Sequence, residues 1–222
     1  GNIPDWKKIR SIAKKHKLIL LEDSADTLGA KIDNKYTGKF SDMSVTSFYG
    51  SHIINGAGNG GILLLNDYNK YKKGLVLRSW GRSSSIYLDK SEKIENRFNI
   101  KIDGFDYDKK FIFQSLGYNF EPSEISAAFA LVQLQKLKKN IFIRKKNFNK
   151  HYNFFKKYEK FFILPRVLKN VNTAWLAFPI IVKKNKKFSR KKLQIFLEKN
   201  NIQTRVIFTG NILRQPAFKY YK

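Results

Sequence analysis

The stretch DMSVTSFYGSHIINGAGNGGILLLND, from Asp42 to Asp67, decides the fold because it contains two apolar segments joined by a glycine-bearing loop. The first segment predicts a strand over about residues 44–48, and the second predicts a strand over about residues 61–66. The glycines precede a strand rather than a helix, so the loop is not the phosphate-binding turn of a dinucleotide-binding fold. His52 lies in this loop, shortly after the end of the first strand.

The residues on either side of this stretch extend the pattern. A helix is expected over about residues 4–17, and the run LILLED (residues 18–23) predicts a fully buried parallel strand because it is continuously apolar and ends in acids. Another helix is expected over about residues 68–80. Alternating helices and strands predict an α/β fold with a mainly parallel sheet.

Polar side chains follow two of these predicted strands. Asp23 ends the first strand, and Ser47 and His52 come at and just after the end of the next. Open α/β sheets bind ligands at the carboxyl ends of their parallel strands. We therefore expect these three side chains to lie together at a ligand-binding edge of the sheet.

The second half of the chain predicts a change of domain. Residues 83–110 form a polar stretch with little periodicity, two helices are expected from Pro122 to about residue 160, and the pattern then becomes strand, helix, strand. The last three elements are TAWLAFPIIV, SRKKLQIFLEKNN with Ser189 as the N-cap, and IQTRVIF. The prediction is a partial large domain over residues 1–162 and a partial small α+β domain over residues 163–222.

Composition excludes several classes of protein. Hydrophobic residues make up 42% of the 222 residues, enough for a core, and the absence of cysteine excludes disulfides, thiolate zinc sites and cysteine-bound iron–sulfur clusters within this span. No apolar run reaches the roughly 18 to 20 residues that cross a bilayer, which favours a soluble, cytoplasmic protein. The net charge of +27 keeps a nucleic-acid-binding protein as an alternative, but the lysines are scattered and no nucleic-acid-binding motif accompanies them.

The segment EDSADTLGAKIDNKYTGKFSDMSVTSFYGSH, from Glu22 to His52, resembles the DegT/DnrJ/EryC1/StrS family of fold-type-I, pyridoxal-phosphate-dependent nucleotide-sugar enzymes. The resemblance continues through LRSWGR, LGYNFEPSEISAAFALVQLQKL and NIQTRVIFTGNILRQPAF, so it covers essentially the whole chain. It implies that the family's N-terminal third and a short C-terminal piece are missing. Family members carry their cofactor-binding lysine where this chain has His52.

The resemblance implies a role for each matching residue. Asp23 would pair with the pyridinium nitrogen of the cofactor, Ser47 would contact its phosphate, and His52 would be the catalytic base. Asp26 would also bind the cofactor; it stands where aminotransferases commonly have glutamine and matches the acid of the dehydratase branch. Asn119 would reach the cofactor phosphate of a neighbouring subunit, which implies a homodimer with shared active sites. Arg205 and Asn211 are the candidate substrate contacts.

Histidine in place of lysine is typical of the family's sugar 3-dehydratases. The resemblance therefore implies 3-dehydration of a nucleotide-linked 4-keto-6-deoxysugar in deoxysugar or lipopolysaccharide biosynthesis, with pyridoxal or pyridoxamine phosphate held non-covalently. The nucleotide is GDP, CDP, dTDP or UDP. One dehydratase type carries an iron–sulfur cluster, but here its cysteine segment reads Ser83-Ser84-Ser85, so no such cluster is expected. An aminotransferase that uses another lysine and a catalytically inactive relative remain the alternatives within the family.

Overall fold

The computed structural model describes residues 1–87 and 93–221. Residues 88–92 belong to the predicted polar stretch and lie outside the described residues. The helices are α1 (Trp6–Lys15), α2 (Tyr68–Arg78), α3 (Ser84–Tyr87), α4 (Ile94–Arg97), α5 (Glu124–Lys156) and α6 (Arg190–Lys199). The strands are β1 (Leu21–Asp23), β2 (Lys31–Ile32), β3 (Lys35–Tyr36), β4 (Met43–Ser47), β5 (Gly61–Leu65), β6 (Ile100–Ile102), β7 (Phe105–Tyr107), β8 (Phe162–Ile163), β9 (Val171–Asn172) and β10 (Ile181–Val182).

The chain divides into two compact units. The first comprises residues 1–151 and 166–178, and the second comprises residues 152–165 and 179–222. The long helix α5 begins in the first unit and ends in the second. No helix in the two described ranges is both long and apolar enough to cross a lipid bilayer.

The main sheet of the first unit has the strand order β1-β4-β5. β1 and β4 are parallel, with Asp23 opposite Val45, whereas β4 and β5 are antiparallel, with Ser47 opposite Gly61. The predicted α/β class is confirmed, but the sheet of this chain is mixed rather than mainly parallel. The reason is the loop between β4 and β5, which contains no crossover helix and returns the chain beside β4 in the opposite direction.

The strand predicted from LILLED differs from the expectation. Only Leu21–Asp23 is strand, and Glu22 is its buried residue, while Leu21 is 56% exposed. Leu63 on β5 is also 50% exposed. Since β1 is an edge strand in the sheet and nothing in the described part of the chain covers these side chains, the prediction of a fully buried strand was wrong.

Helix α1 is attached to the sheet by an apolar cluster and by an ion pair. Trp6 belongs to a buried cluster with three other residues, Ile3, Ala30 and Ile32. On the same helix, Arg10 Nη1 donates to Asp42 Oδ2 at 2.8 Å, and the Leu20 amide donates to the same oxygen at 2.8 Å. The hydrogen bond from Arg10 and the one from the Leu20 amide lower the pKa of Asp42 to about 2. This carboxylate therefore joins the helix to the residue before β1 and to the start of β4.

Helix α5 is one continuous helix of 33 residues, so the predicted division near residue 140 was wrong. The segment LKKNI (residues 137–141) contains neither glycine nor proline, and nothing else there ends a helix. Phe148 on this helix is buried and stacks on Trp175, with the ring centroids 3.8 Å apart and the planes inclined by 6°.

The second unit contains the predicted helix with its predicted cap. Ser189 accepts a hydrogen bond from the Lys192 amide at 3.2 Å and begins α6. Of the segment TAWLAFPIIV only Ile181–Val182 is strand, paired antiparallel with Phe162–Ile163. The segment IQTRVIF is irregular and largely exposed, so the strand predicted there was wrong. A strand needs a partner, and no described strand lies alongside this segment.

Candidate active site

Asp23 and Ser47 end two neighbouring parallel strands. The Ser24 amide donates to the Val45 carbonyl at 2.8 Å, so the pairing continues one residue past the end of β1. The carboxyl ends of β1 and β4 therefore lie at the same edge of the sheet, as the sequence predicted. The loops that follow these two strands carry Asp26 and His52.

The loop between β4 and β5 is closed by its own backbone. Phe48 donates to the Gly60 carbonyl, and Gly56 donates to the Phe48 carbonyl, each at 2.9 Å. Ile53 and Ile54 are buried and anchor the loop just after His52. A Cβ at Gly56 would lie 2.4 Å from a backbone oxygen of this loop, so the closed conformation requires glycine there.

The imidazole of His52 lies between two acceptors. Its Nδ1 is 3.3 Å from the carbonyl oxygen of Ser47, and its Nε2 is 3.5 Å from Oδ1 of Asp26. A carbonyl oxygen can only accept a hydrogen bond, so Nδ1 carries the hydrogen in this arrangement. In the neutral ring, Nε2 then holds the lone pair and is the nitrogen that can accept a proton.

This arrangement favours proton transfer at Nε2. The side chain of His52 is 19% exposed and that of Asp26 is 41% exposed, so a proton donor can reach the pair from the open side. When Nε2 gains a proton, Oδ1 of Asp26 is in place to accept a hydrogen bond from it. In the neutral ring only Nδ1 donates to an acceptor, and protonation of Nε2 adds Asp26 as a second partner. Tyr49 approaches it edge-on, with ring centroids 5.7 Å apart.

Asp23 and Ser47 suit a ligand with a protonated nitrogen and a phosphate. Oδ1 of Asp23 accepts from the Ala25 amide at 3.0 Å, and its Oδ2 has no hydrogen-bond donor within the described residues. Oγ of Ser47 accepts from the Tyr49 amide at 3.2 Å, which leaves the hydroxyl hydrogen available to an anionic oxygen. The residues present therefore fit a pyridoxal-phosphate type of cofactor. In the described ranges, no group of three or more His, Cys, Asp or Glu side chains could hold a metal ion.

Glu22 also lies in this region, and no role for it was predicted from the sequence. It is only 1% exposed, and it accepts hydrogen bonds from the Ser24 hydroxyl, the Gly38 amide and the Ser41 hydroxyl. The signal in the sequence was an acid one position before the strand-terminal Asp23. Since side chains alternate along a strand, adjacent acids face opposite sides, and one of them must be inside.

Asn119 lies in the same compact unit as His52. The segment around it runs alongside the end of α2: Trp80 donates to the Tyr118 carbonyl at 2.8 Å, and Phe120 donates to the Arg78 carbonyl at 2.9 Å. The Asn119 side chain is exposed, and among the described residues no hydrogen bond or ion pair joins it to the residues at the strand ends.

Arg205 and Asn211 belong to the second compact unit. Both side chains are exposed. Oδ1 of Asn211 accepts from the Leu213 amide at 3.0 Å and begins a short 3-10 helix. Their contact with a substrate remains a prediction. Within the first unit, the structure thus brings together Asp23, Asp26, Ser47 and His52.

Comparison with known proteins agrees with the motifs. The chain is 31% identical to the lipopolysaccharide biosynthesis protein RfbH of Salmonella typhimurium, an alignment that covers 100% of the chain and 51% of the relative. It is 33% identical to the dTDP-4-dehydro-2,6-dideoxy-D-glucose 3-dehydratase of Saccharopolyspora spinosa, over 99% of the chain and 47% of the relative. The chain thus spans about half the length of the curated relatives it matches.

Solved structures agree on the fold. The E. coli GDP-4-keto-6-deoxy-D-mannose 3-dehydratase with bound hydrated pyridoxal phosphate superposes with a TM-score of 0.82 at 30% identity, covering 100% of this chain and 54% of the other. The family model for DegT/DnrJ/EryC1/StrS aminotransferases matches residues 1–222. With the fold, the motifs and the whole-length match in agreement, the chain belongs to the DegT/DnrJ/EryC1/StrS aminotransferase family.

Proposed function

We propose that the protein is a pyridoxal/pyridoxamine-phosphate-dependent nucleotide-sugar 3-dehydratase. It would remove the 3-hydroxyl group of a nucleotide-linked 4-keto-6-deoxysugar in lipopolysaccharide or deoxysugar biosynthesis. The observation that carries the proposal is the position of His52. Its imidazole lies in the loop after the carboxyl end of β4, and its Nε2 is 3.5 Å from Oδ1 of Asp26. The proposal is also supported by relatives whose names state a 3-dehydratase activity.

In this proposal the residues at the strand ends hold the cofactor. Asp23 would pair with the pyridinium nitrogen and Ser47 would donate to the phosphate, as their free oxygen and free hydroxyl hydrogen allow. When bound, the cofactor supplies a ring that accepts the electron pair left behind when a proton is removed beside it. His52 cannot form the covalent link to the cofactor aldehyde that a lysine forms, so the cofactor stays exchangeable.

His52 would act as the general base. Nε2 accepts the proton, the Ser47 carbonyl holds Nδ1–H, and Asp26 accepts a hydrogen bond from the newly protonated Nε2. The same imidazolium can then return its proton to the departing 3-hydroxyl, which leaves as water. General acid–base catalysis by one such group contributes about 10² to 10⁴ in rate.

The overall reaction balances with an amino acid as the donor. The 4-keto-6-deoxysugar and glutamate would give the 3-deoxy sugar, 2-oxoglutarate and ammonia. The two electrons that the deoxy product needs come from glutamate, which is oxidised to the keto acid. No iron–sulfur cluster is required, and the chain has no cysteine to bind one.

We extend the proposal to the whole protein. Residues 1–162 would belong to the cofactor-binding domain and residues 163–222 to the small domain, from which Arg205 and Asn211 would contact the substrate. Asn119 is exposed, so its side chain is accessible to the site of a second subunit, as the proposed role requires. We therefore propose that the protein is a homodimer with shared active sites and that it acts in the cytoplasm.

The decisive experiment uses the intact protein with pyridoxamine phosphate, glutamate and a panel of nucleotide 4-keto-6-deoxysugars. Mass spectrometry should show a product lighter than the substrate by one oxygen atom, and His52→Asn should abolish it. An amino sugar as the product would instead indicate an aminotransferase. That outcome would be unexpected, because residues 48–60 contain no lysine.

Two further outcomes would contradict the proposal. A cofactor absorption spectrum without turnover of any 4-keto sugar would indicate a catalytically inactive relative. Retention on DNA at moderate salt, without any cofactor spectrum, would favour the nucleic-acid-binding alternative that the charge of +27 leaves open.

A further inference from the structure

We propose that Glu22 is a positioning residue: its buried carboxylate fixes the turn from Ser24 to Thr27, and this turn holds Asp26 against His52. The catalytic meaning of this inference rests on the proposed function. The geometric part stands by itself and can be tested without the cofactor.

Glu22 lies in an unusual environment for a charged side chain. It is 1% exposed and faces the side of the sheet opposite to Asp23. Three other polar residues on or near this face are also buried, namely Ser41, Ser44 and Thr46. The buried face of the sheet near the site is therefore polar, and hydrogen bonds rather than apolar packing determine the geometry there.

Both oxygens of the Glu22 carboxylate have donors. Oε1 accepts from the Ser24 hydroxyl, while Oε2 accepts from the Gly38 amide at 2.7 Å and from the Ser41 hydroxyl at 3.4 Å. Within the described residues no lysine, arginine or histidine pairs with it. Because a buried polar group that loses its hydrogen-bond partner destabilises the fold, these three donors and the Glu22 carboxylate hold one another in place.

Ser24 transmits this restraint to the active-site turn. Besides its bond to Glu22, Ser24 accepts at its carbonyl from the Thr46 hydroxyl at 3.3 Å and from the Thr27 amide at 3.1 Å. Asp26 lies inside the turn that the Thr27 bond closes. The position of its carboxylate, 3.5 Å from Nε2 of His52, thus depends on a turn whose first residue is held by Glu22.

Two substitutions loosen this restraint without opening a large cavity. In Glu22→Gln, the side-chain oxygen must face the Gly38 amide because a backbone N–H cannot accept a hydrogen bond. The amide nitrogen then faces Ser24, so the hydrogen bond reverses: the amide N–H donates to the Ser24 hydroxyl, and a weaker neutral bond replaces the bond to a carboxylate. Ser24→Ala removes the bond altogether. Ser44→Ala is the matched control, since this serine is buried on the same face but makes no hydrogen bond to the Ser24–Thr27 turn.

The readout is the imidazole nitrogen resonance of His52 in protein labelled with ¹⁵N-histidine. The signal is assigned with His52→Asn, and Asp26→Asn shows where it moves when the carboxylate partner is lost. Glu22→Gln and Ser24→Ala should both move the His52 resonance toward its position in Asp26→Asn, whereas Ser44→Ala should leave it in place. Circular dichroism establishes that each variant is folded; if Glu22→Gln does not fold, Ser24→Ala carries the test.

The inference is overturned if the folded Glu22 and Ser24 variants keep the wild-type His52 resonance, or if Ser44→Ala moves it as far. Kinetics add a second criterion. A misplaced general base should lower kcat by about ten- to a hundred-fold and change KM by less than about two-fold. If the wild-type enzyme converts no nucleotide sugar, the proposed function fails alone, because the resonances still decide the role of Glu22.

Discussion

Gly81→Ala tests the place where the end of α2 crosses the segment that carries Asn119. A Cβ at position 81 would lie 1.7 Å from the carbonyl oxygen of Ser115. Carbon and oxygen atoms in contact normally keep about 3.4 Å apart, so the two backbones would have to separate by about 1.7 Å. Gly81 also has a φ of +87°, in the left-handed region that favours glycine.

The expected destabilisation follows from these two effects. A left-handed conformation is unfavourable by about 1 to 2 kcal/mol for alanine. The separation would also break two bonds that cross between these backbones, from the Gln114 amide to the Gly81 carbonyl (2.8 Å) and from the Trp80 amide to the Tyr118 carbonyl (2.8 Å). At about 1 kcal/mol for each bond, the free energy of unfolding should fall by about 3 to 4 kcal/mol.

The assay is urea unfolding of the intact protein, with Gly74→Ala as the control. Gly74 lies within α2, and a Cβ there would meet only the end of the Leu65 side chain, at 3.3 Å. Alanine is favoured over glycine inside a helix by about 0.5 to 1 kcal/mol, so Gly74→Ala should be neutral or slightly stabilising. A Gly81→Ala protein within about 1 kcal/mol of wild type, or a control destabilised equally, would refute the reasoning.

Three further predictions follow from the site and the core. His52→Lys should create a lysine adduct with pyridoxal phosphate that borohydride traps, whereas wild type should give none at this position; mass spectrometry of the reduced peptide decides. The stability that the Asp42 carboxylate contributes should be complete above pH 3.8 and should disappear as the pH falls toward its folded-state pKa of about 2. Melting curves between these two pH values should therefore show a weaker dependence of stability on pH in Asp42→Asn than in wild type. Phe148→Ala should lower the free energy of unfolding by about 3 to 5 kcal/mol because it removes the stack on Trp175, and Phe148→Leu should be milder; equal losses in chemical denaturation would contradict this.

The elements nearest the site were the ones that the sequence predicted well. The stretch from Asp42 to Asp67 folds as strand, loop and strand, and the ends of β1 and β4 meet at one edge. Hydrophobic patterning determines the first feature locally, and the second follows because parallel strands end at the same edge of a sheet. The direction of β5 did not follow from the pattern, since an apolar run reads the same in a parallel and an antiparallel strand.

Features that depend on distant residues were harder to predict. In the sequence, Glu22 is one of two adjacent acids. Its burial could not be predicted, because it depends on hydrogen bonds from Gly38 and Ser41, which lie 16 and 19 residues away along the chain. The segment IQTRVIF has the composition of a strand but no described partner to pair with. The break expected in α5 failed for the opposite reason, because helix propensity along residues 137–141 is sufficient without any distant contact.

The contact between Nδ1 of His52 and the main-chain carbonyl of Ser47 has an evolutionary consequence. Every amino acid supplies a main-chain carbonyl, so a substitution at position 47 keeps the acceptor for Nδ1 of His52. The same substitution changes the affinity for an anionic group, because that affinity depends on the side chain. In a descendant lineage the two properties can therefore be inherited separately.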